Sequence, residues 1–206
     1  MLQPHPDHEP HASFLSAPET PGPGAARDRL ARRRFRHLLE RDPALRHKRL
    51  GWLEALTYPG LWALAAHRVA HVLATAGIPV VPRVISQAAR FLTGIEIHPG
   101  ARIGPGLFID HGAGVVIGET VEIGAHVLMF HQVTLGNIDV DAACKRHPSI
   151  GDHVVIGAGA KVLGPICVGH RARIGAGTIV IRDVPEGALV VGPVGQLVER
   201  PHLRVA

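Results

Sequence analysis

Aliphatic residues recur at every sixth position from Ile97 through Ile103, Ile109, Val115, Val121 and Val127 to Val133. The period breaks over 136–149 and resumes at Ile150, Ile156, Val162, Val168, Ile174 and Val180, with Gly151, Gly157, Gly169 and Gly175 directly following four of these. A helix of about 3.6 residues per turn cannot carry such a repeat on one face. A short strand plus a turn can, with one aliphatic side chain per repeat turned inward and glycine absorbing the turn. A second series, Val154, Ala160, Ile166, Ala172, Thr178 and Val184, follows each later repeat start by four residues and is mostly small, which suits the corners of a narrow coil. The pattern predicts a parallel β-helix of three flat faces, with about 18 residues per coil and coils about 4.8 Å apart. Hexads of this kind usually wind left-handed, against the ordinary crossover preference.

Ahead of the repeats the spacing changes. Leu61, Leu64, Ala65, Val69, Val72, Leu73 and Ala76 fall on one helical face, and Gly77 with Pro79 ends that run. A short helix is predicted over 82–92. Further upstream, 27–41 reads as a basic helix, and Asp42 before Pro43 has the form of an N-cap. Residues 1–26, rich in proline with His5, His8 and His11, predict a disordered arm. The expected fold class is therefore α+β: the arm over 1–26, a helical region over 27–93, a left-handed β-helix over 94–184 with one extruded loop at 136–149, and a tail over 185–206. The apolar faces of the helical region require cover from the first coils or from another subunit.

Composition agrees with the period, since 46% apolar but only 4% aromatic residues suit thin coils filled by Ile, Val and Ala. The formal charge of +5 comes mainly from arginine. Many of these residues crowd into 27–49 without an aromatic-interleaved basic strand, so nucleic acid is not an expected partner. A modest positive field suits an anionic small molecule carrying phosphates. Cys144 and Cys167 are the only cysteines, which implies no disulfide framework and a reducing compartment. The start lacks a signal-peptide pattern, and His67, Arg68 and His71 interrupt the most apolar segment, 60–81. The expectation is a cytoplasmic protein that does not enter the membrane.

Three polar clusters interrupt a wall that is otherwise nearly inert: Glu96-Ile97-His98, Asp110-His111-Gly112 and Lys145-Arg146-His147-Pro148. Histidine beside a carboxylate can act as general base toward a hydroxyl, and arginine can grip a carboxylate with its planar fork. Taken singly, the same residues also read as satisfied corner histidines, an N-cap at Asp42 and plain turn geometry at the glycines.

Taken together, Gly94-Ile95-Glu96-Ile97-His98-Pro99-Gly100, Ile109-Asp110-His111, Val116-Ile117-Gly118-Glu119-Thr120, Gln132-Val133-Thr134-Leu135-Gly136 and Arg146-His147-Pro148 resemble the serine O-acetyltransferases, over about 42–191. The resemblance implies a left-handed β-helix behind a helical domain. It also implies transfer of acetyl from acetyl-CoA to the hydroxyl of L-serine, the step committing serine to cysteine biosynthesis. On this resemblance His111 is the base, Glu96 the acid that orients it, and His147 the second active-site histidine. Arg146 would hold the serine carboxylate, Asp110 and Asp42 the amine side, and Gly136, Ala158 and Ala176 would lie along acetyl-CoA. No metal is implied, and the sites would lie between subunits of a homotrimer.

Two departures accompany the match. After Leu135-Gly136 the family commonly continues Gly-Thr-Gly, whereas this chain has Asn137-Ile138-Asp139 and a loop one residue longer that holds Cys144. The last residues, His202 to Ala206, lack the terminal isoleucine through which many members bind O-acetylserine sulfhydrylase, so that complex is not expected by this route. Three alternatives share the repeats: the same chemistry on homoserine or a sugar hydroxyl, a γ-carbonic-anhydrase-like zinc enzyme, and a non-catalytic scaffold. The zinc reading starts from His126 and His131 but needs a third imidazole near position 90, where Arg90 stands. The scaffold reading leaves Asp110, His111, Arg146 and His147 as coincidences.

Overall fold

The computed structural model describes residues 56–139 and 144–195. The arm, the basic helix, Asp42 and the end of the tail lie outside these residues. Helix α1, Pro59–Thr75, and helix α2, Val81–Thr93, precede a stack of very short strands, so the class is α+β as expected. Pro82 in the first turn of α2 and a left-handed Gly94 at its C-cap bracket that helix.

The strands form three all-parallel sheets. The first joins Glu96–Ile97, Val116–Ile117, Thr134–Gly136, Lys161–Leu163 and Ile179–Val180; the second begins at Arg102–Ile103 and the third at Phe108–Ile109. Successive strands belong to successive sheets, which is the topology of a three-sided β-helix. Its interior is a column of aliphatic side chains including Ile95, Ile117, Val121, Ile123, Val127, Met129, Leu135 and Ile156, each nearly or wholly buried. Pairing continues beyond Val184, because Leu189–Val190 lies parallel to Arg173–Ile174 in the third sheet.

The register corrects the six-residue count in one respect. Ile97 aligns with Ile117 and Ile109 with Met129, twenty positions on, whereas Ile117 aligns with Leu135, eighteen on. The first coil therefore carries two extra residues at the corner over 110–114. Ile97, Ile103 and Ile109 continue as Ile117, Ile123, Met129 and Leu135, while Val115, Val121, Val127 and Val133 continue the other inward series, Ile95, Ala101 and Leu107. Side chains two apart on a strand share a face, so a slip of two keeps every aliphatic residue inside and leaves the count intact.

Helix α1 also turns a different face inward than its leucines and valines suggest. Gly60, Ala63, His67 and Ala70 are buried, while Val69 and Val72 are exposed. Close approach explains the choice, since a methyl group on Gly60 would sit 2.7 Å from the carbonyl oxygen of Ile109. Among the described residues no coil lies above the first, so its carbonyls need donors. His67 Nε2 is 3.1 Å from the Ala101 carbonyl, His71 Nδ1 is 2.7 Å from that of Pro99, and the Ser86 hydroxyl donates to Ile97 at 2.7 Å. Polar side chains on both helices thus cap the open end of the β-helix.

Burial, then the neighbouring His71, Arg68 and His98, lower the pKa of His67 to about 4. The folded value lies below the ordinary value of 6.5, so the native chain binds fewer protons than the unfolded one between these limits. Stability should be complete above about pH 6.5 and fall as the pH drops toward 4, by on the order of 3 kcal/mol. Gln in place of His67 can still donate to Ala101 but does not titrate. A melting temperature followed from pH 7 to pH 4.5 should decline less steeply in His67→Gln; an identical decline would remove His67 as its source.

Candidate active site

The two-residue insertion sits at the corner between the third and first sheets and exposes His111. His111 has φ of 60°, and Gly112 and Gly114 also lie in the left-handed region at 75° and 74°. The same left-handed conformation recurs at His126, Gln132, His153 and Arg171, each at 58°, so it is a corner geometry that the coil repeats. The His111 side chain is 73% exposed, and its Nε2 lies 3.9 Å from Asp110 Oδ2. That separation is electrostatic contact rather than a hydrogen bond, and such contacts commonly tighten only when substrate is present. Below it in the same corner come His131, then Ala158 and Ala176, linked by Gln132 N–H to Ala113, Gly159 N–H to His131 and Gly177 N–H to Ala158 carbonyls. The His111 and His131 rings meet edge to face, with centroids 5.9 Å apart.

Glu96 stands on the first strand of this sheet, but its partners are on α2. Its carboxylate lies 3.2 Å from Arg83, 3.4 Å from Arg90 and 3.3 Å from the Gln87 amide. The carboxylate that pairs with His111 is Asp110. The arginines of α2 reach Glu96 because Gly94 turns the chain sharply from α2 into that strand.

The opposite edge of the first sheet, at the corner leading to the second, carries the other cluster. Arg146 Nη2 donates to Glu119, and Lys145 Nζ reaches the Thr120 carbonyl at 3.0 Å and Glu122 at 3.4 Å. The Thr120 hydroxyl accepts the backbone N–H groups of Arg146 and His147, both at 3.2 Å. Thr120 N–H donates to His147 Nδ1 at 3.2 Å, which leaves the ring proton on Nε2. Burial first, then Arg146, lower the pKa of His147 and keep it neutral. His98 has the same tautomer, with Nδ1 accepting Gly100 N–H at 3.1 Å and its pKa lowered chiefly by burial. Gly136 ends its strand on this side of the sheet, where the loop begins.

Of the residues singled out from sequence, the structure joins Asp110 with His111, groups Ala158 and Ala176 in the same corner, and sets Arg146 and His147 together across the sheet. It does not bring Glu96 to His111. Glu119 and Thr120, which anchor the loop end, were part of the motif but carried no assigned role. Their signal was their position one coil above the loop, which becomes visible only with the register. His126 and His131 have different neighbours, His126 stacking on His153 at 5.2 Å and His131 meeting His111 edge to face at 5.9 Å.

Gly118 is what lets His147 lie flat, because a methyl group there would overlap the imidazole. Gly118→Ala should displace His147, lowering kcat severalfold and the melting temperature by about 2–8 °C, for a loss of about 1–2 kcal/mol. Wild-type values for both in a purified variant would show that the ring is not confined there.

A three-sided coil with a histidine–carboxylate pair at one corner and an arginine–histidine pair at the next defines a hexapeptide-repeat acyltransferase. Residues 147–182 match the family model "Bacterial transferase hexapeptide (six repeats)". The serine acetyltransferase of Synechococcus elongatus is 53% identical over 171 residues, covering 83% of this chain and 68% of that protein. The chain superposes on the Neisseria gonorrhoeae serine acetyltransferase in complex with serine with a TM-score of 0.73 at 38% identity, covering 81% of this chain and 66% of that one. It also superposes on the Brucella abortus enzyme in complex with coenzyme A with a TM-score of 0.75 at 35% identity, covering 83% and 67%. The chain belongs to the serine acetyltransferase family, a family of acyltransferases built on the left-handed β-helix. It spans about two thirds of the length of each of these relatives.

Proposed function

We propose that this chain is a serine O-acetyltransferase that moves acetyl from acetyl-CoA to the hydroxyl of L-serine and supplies O-acetyl-L-serine for cysteine biosynthesis. The observation that carries the reading is the Asp110–His111 pair, set at the corner where the first coil carries two extra residues in an otherwise inert wall. In the proposed step, His111 takes the hydroxyl proton as the serine oxygen attacks the thioester carbonyl. The tetrahedral intermediate then collapses, the carbon–sulfur bond breaks, and the thiolate of coenzyme A recovers the proton from His111. Arg146 binds the serine carboxylate, and His147, neutral with its proton on Nε2, donates beside it. Asp110 and Asp42 serve the ammonium group. Glu96, held by Arg83 and Arg90, contributes negative charge to the same sheet. Acetyl-CoA runs past Ala158 and Ala176, where small residues leave the corner open, and past Gly136.

One chain does not complete this site. The flat run 115–118 separates the two clusters, on the order of 13 Å of extended chain, which exceeds the span of one serine. A neighbouring copy offering its Arg146 corner to His111 closes the gap, and three such contacts around an axis make a homotrimer. The exposed apolar residues Val116 and Ile179 on this sheet suit burial between copies. No described helix is long and apolar enough to cross a membrane, and we take the enzyme to be cytoplasmic.

The test is thiol release from acetyl-CoA with L-serine, D-serine, L-homoserine or no acceptor. Release that requires L-serine is expected. Release with L-homoserine alone would move the acceptor, and release with none of them would remove the reading.

A further inference from the structure

We infer that His131 is a positioning residue for His111, holding its ring and meeting the charge it acquires; this rests on the base role proposed for His111. Two separate observations converge on it. The first is the edge-to-face contact of the two rings, at 5.9 Å and 78°. His111 is largely exposed and its carboxylate neighbour is 3.9 Å away, beyond hydrogen-bond distance, so the ring contact is a second restraint on a side chain that is otherwise loosely held.

The second is that His131 Nδ1 is buried and has no hydrogen-bond partner among the described residues. A buried polar atom left unpaired costs stability, and a phenylalanine in the same place would fill the space without that cost. What the imidazole offers beyond packing is polarity in the ring that meets the group proposed to become an imidazolium when the serine proton is transferred. A polar ring in edge-to-face contact can meet charge that develops on its neighbour, which a phenyl ring does less well. His131 is fixed for this role because Gly159 N–H holds its carbonyl at 2.9 Å and Gln132 N–H binds Ala113, inside the insertion, at 2.8 Å.

The test compares full-length wild type with His131→Phe, which keeps a ring, and His131→Asn, which keeps a polar atom near the position of Nδ1. His131→Phe should lower kcat about tenfold, leave KM for L-serine and acetyl-CoA unchanged, and melt at or above the wild-type temperature. His131→Asn should recover turnover to within a few-fold of wild type. An unchanged kcat in His131→Phe overturns the inference, and so does a joint loss of kcat and thermal stability, which would mark an ordinary packing residue. A nuclear Overhauser contact between ring carbon-bound protons of the two histidines is expected in wild type, and its absence also overturns the inference. If that contact is present while L-serine drives no thiol release, the acetyl-transfer reading has failed and the ring contact has not.

Discussion

His111→Ala loses turnover by about 10²- to 10⁴-fold, the range over which a positioned general base contributes. It retains its affinity for acetyl-CoA. The separation follows from the corner. His111 belongs to the insertion over 110–114, whereas Ala158 and Ala176, proposed to lie along the co-substrate, are in the two coils below His131, joined by the Gly177 N–H bond to the Ala158 carbonyl. The mutation deletes an exposed ring that fills no core space, so the melting temperature should change little. Steady-state rates with calorimetric titration of acetyl-CoA measure both quantities. Turnover within a few-fold of wild type would strip His111 of the base role; lost acetyl-CoA affinity would mean that the corner itself had collapsed.

The repeat was legible because a β-helix has one demand per hexad, an aliphatic side chain facing inward, and short strands meet it without help from distant residues. For the same reason the two-residue insertion was illegible. Ile109 to Val115 is still six residues, and only pairing of Ile97 with Ile117 reveals that Val115 has passed to the other inward series. The histidine most open to chemistry therefore stands where the six-residue count looks undisturbed.

The inward face of α1 was misread for a different reason. Apolar periodicity assumes that a helix buries its largest aliphatic residues. Here the contact is with a backbone edge that needs donors and is approached closely through small residues, Gly60, Ala63 and Ala70, so His67 and His71 face inward and Val69 and Val72 remain exposed. The pairing of Glu96 with α2 was invisible in the same way, because it depends on the angle at which Gly94 returns the chain. Arg146 and His147 were found from their motif, but Thr120, whose hydroxyl and backbone fix both, is an ordinary turn residue until the coil above the loop is known.

Arg146→Lys raises KM for L-serine by about 10- to 100-fold and leaves kcat within a few-fold. The guanidinium offers several donors in one plane; with Nη2 on Glu119, the remaining edge can take a carboxylate. The ammonium of lysine is a single point that cannot hold Glu119 and the substrate in one fixed geometry. Losing a charge-assisted bidentate contact is worth about 1.5–3 kcal/mol, which sets the expected range. Stability should hardly respond, because Arg146 and Glu119 are 32% and 46% exposed and such pairs contribute at most about 1 kcal/mol to folding. Initial rates over a range of L-serine at saturating acetyl-CoA separate the two constants. The same experiment with L-homoserine, one methylene longer, adds a check on the acceptor: a guanidinium that fixes the carboxylate sets the reach to the hydroxyl, so discrimination between the two acceptors should narrow in the lysine variant. Unchanged serine dependence would assign the carboxylate elsewhere, with neutral His98 and His147 as the next donors on that edge.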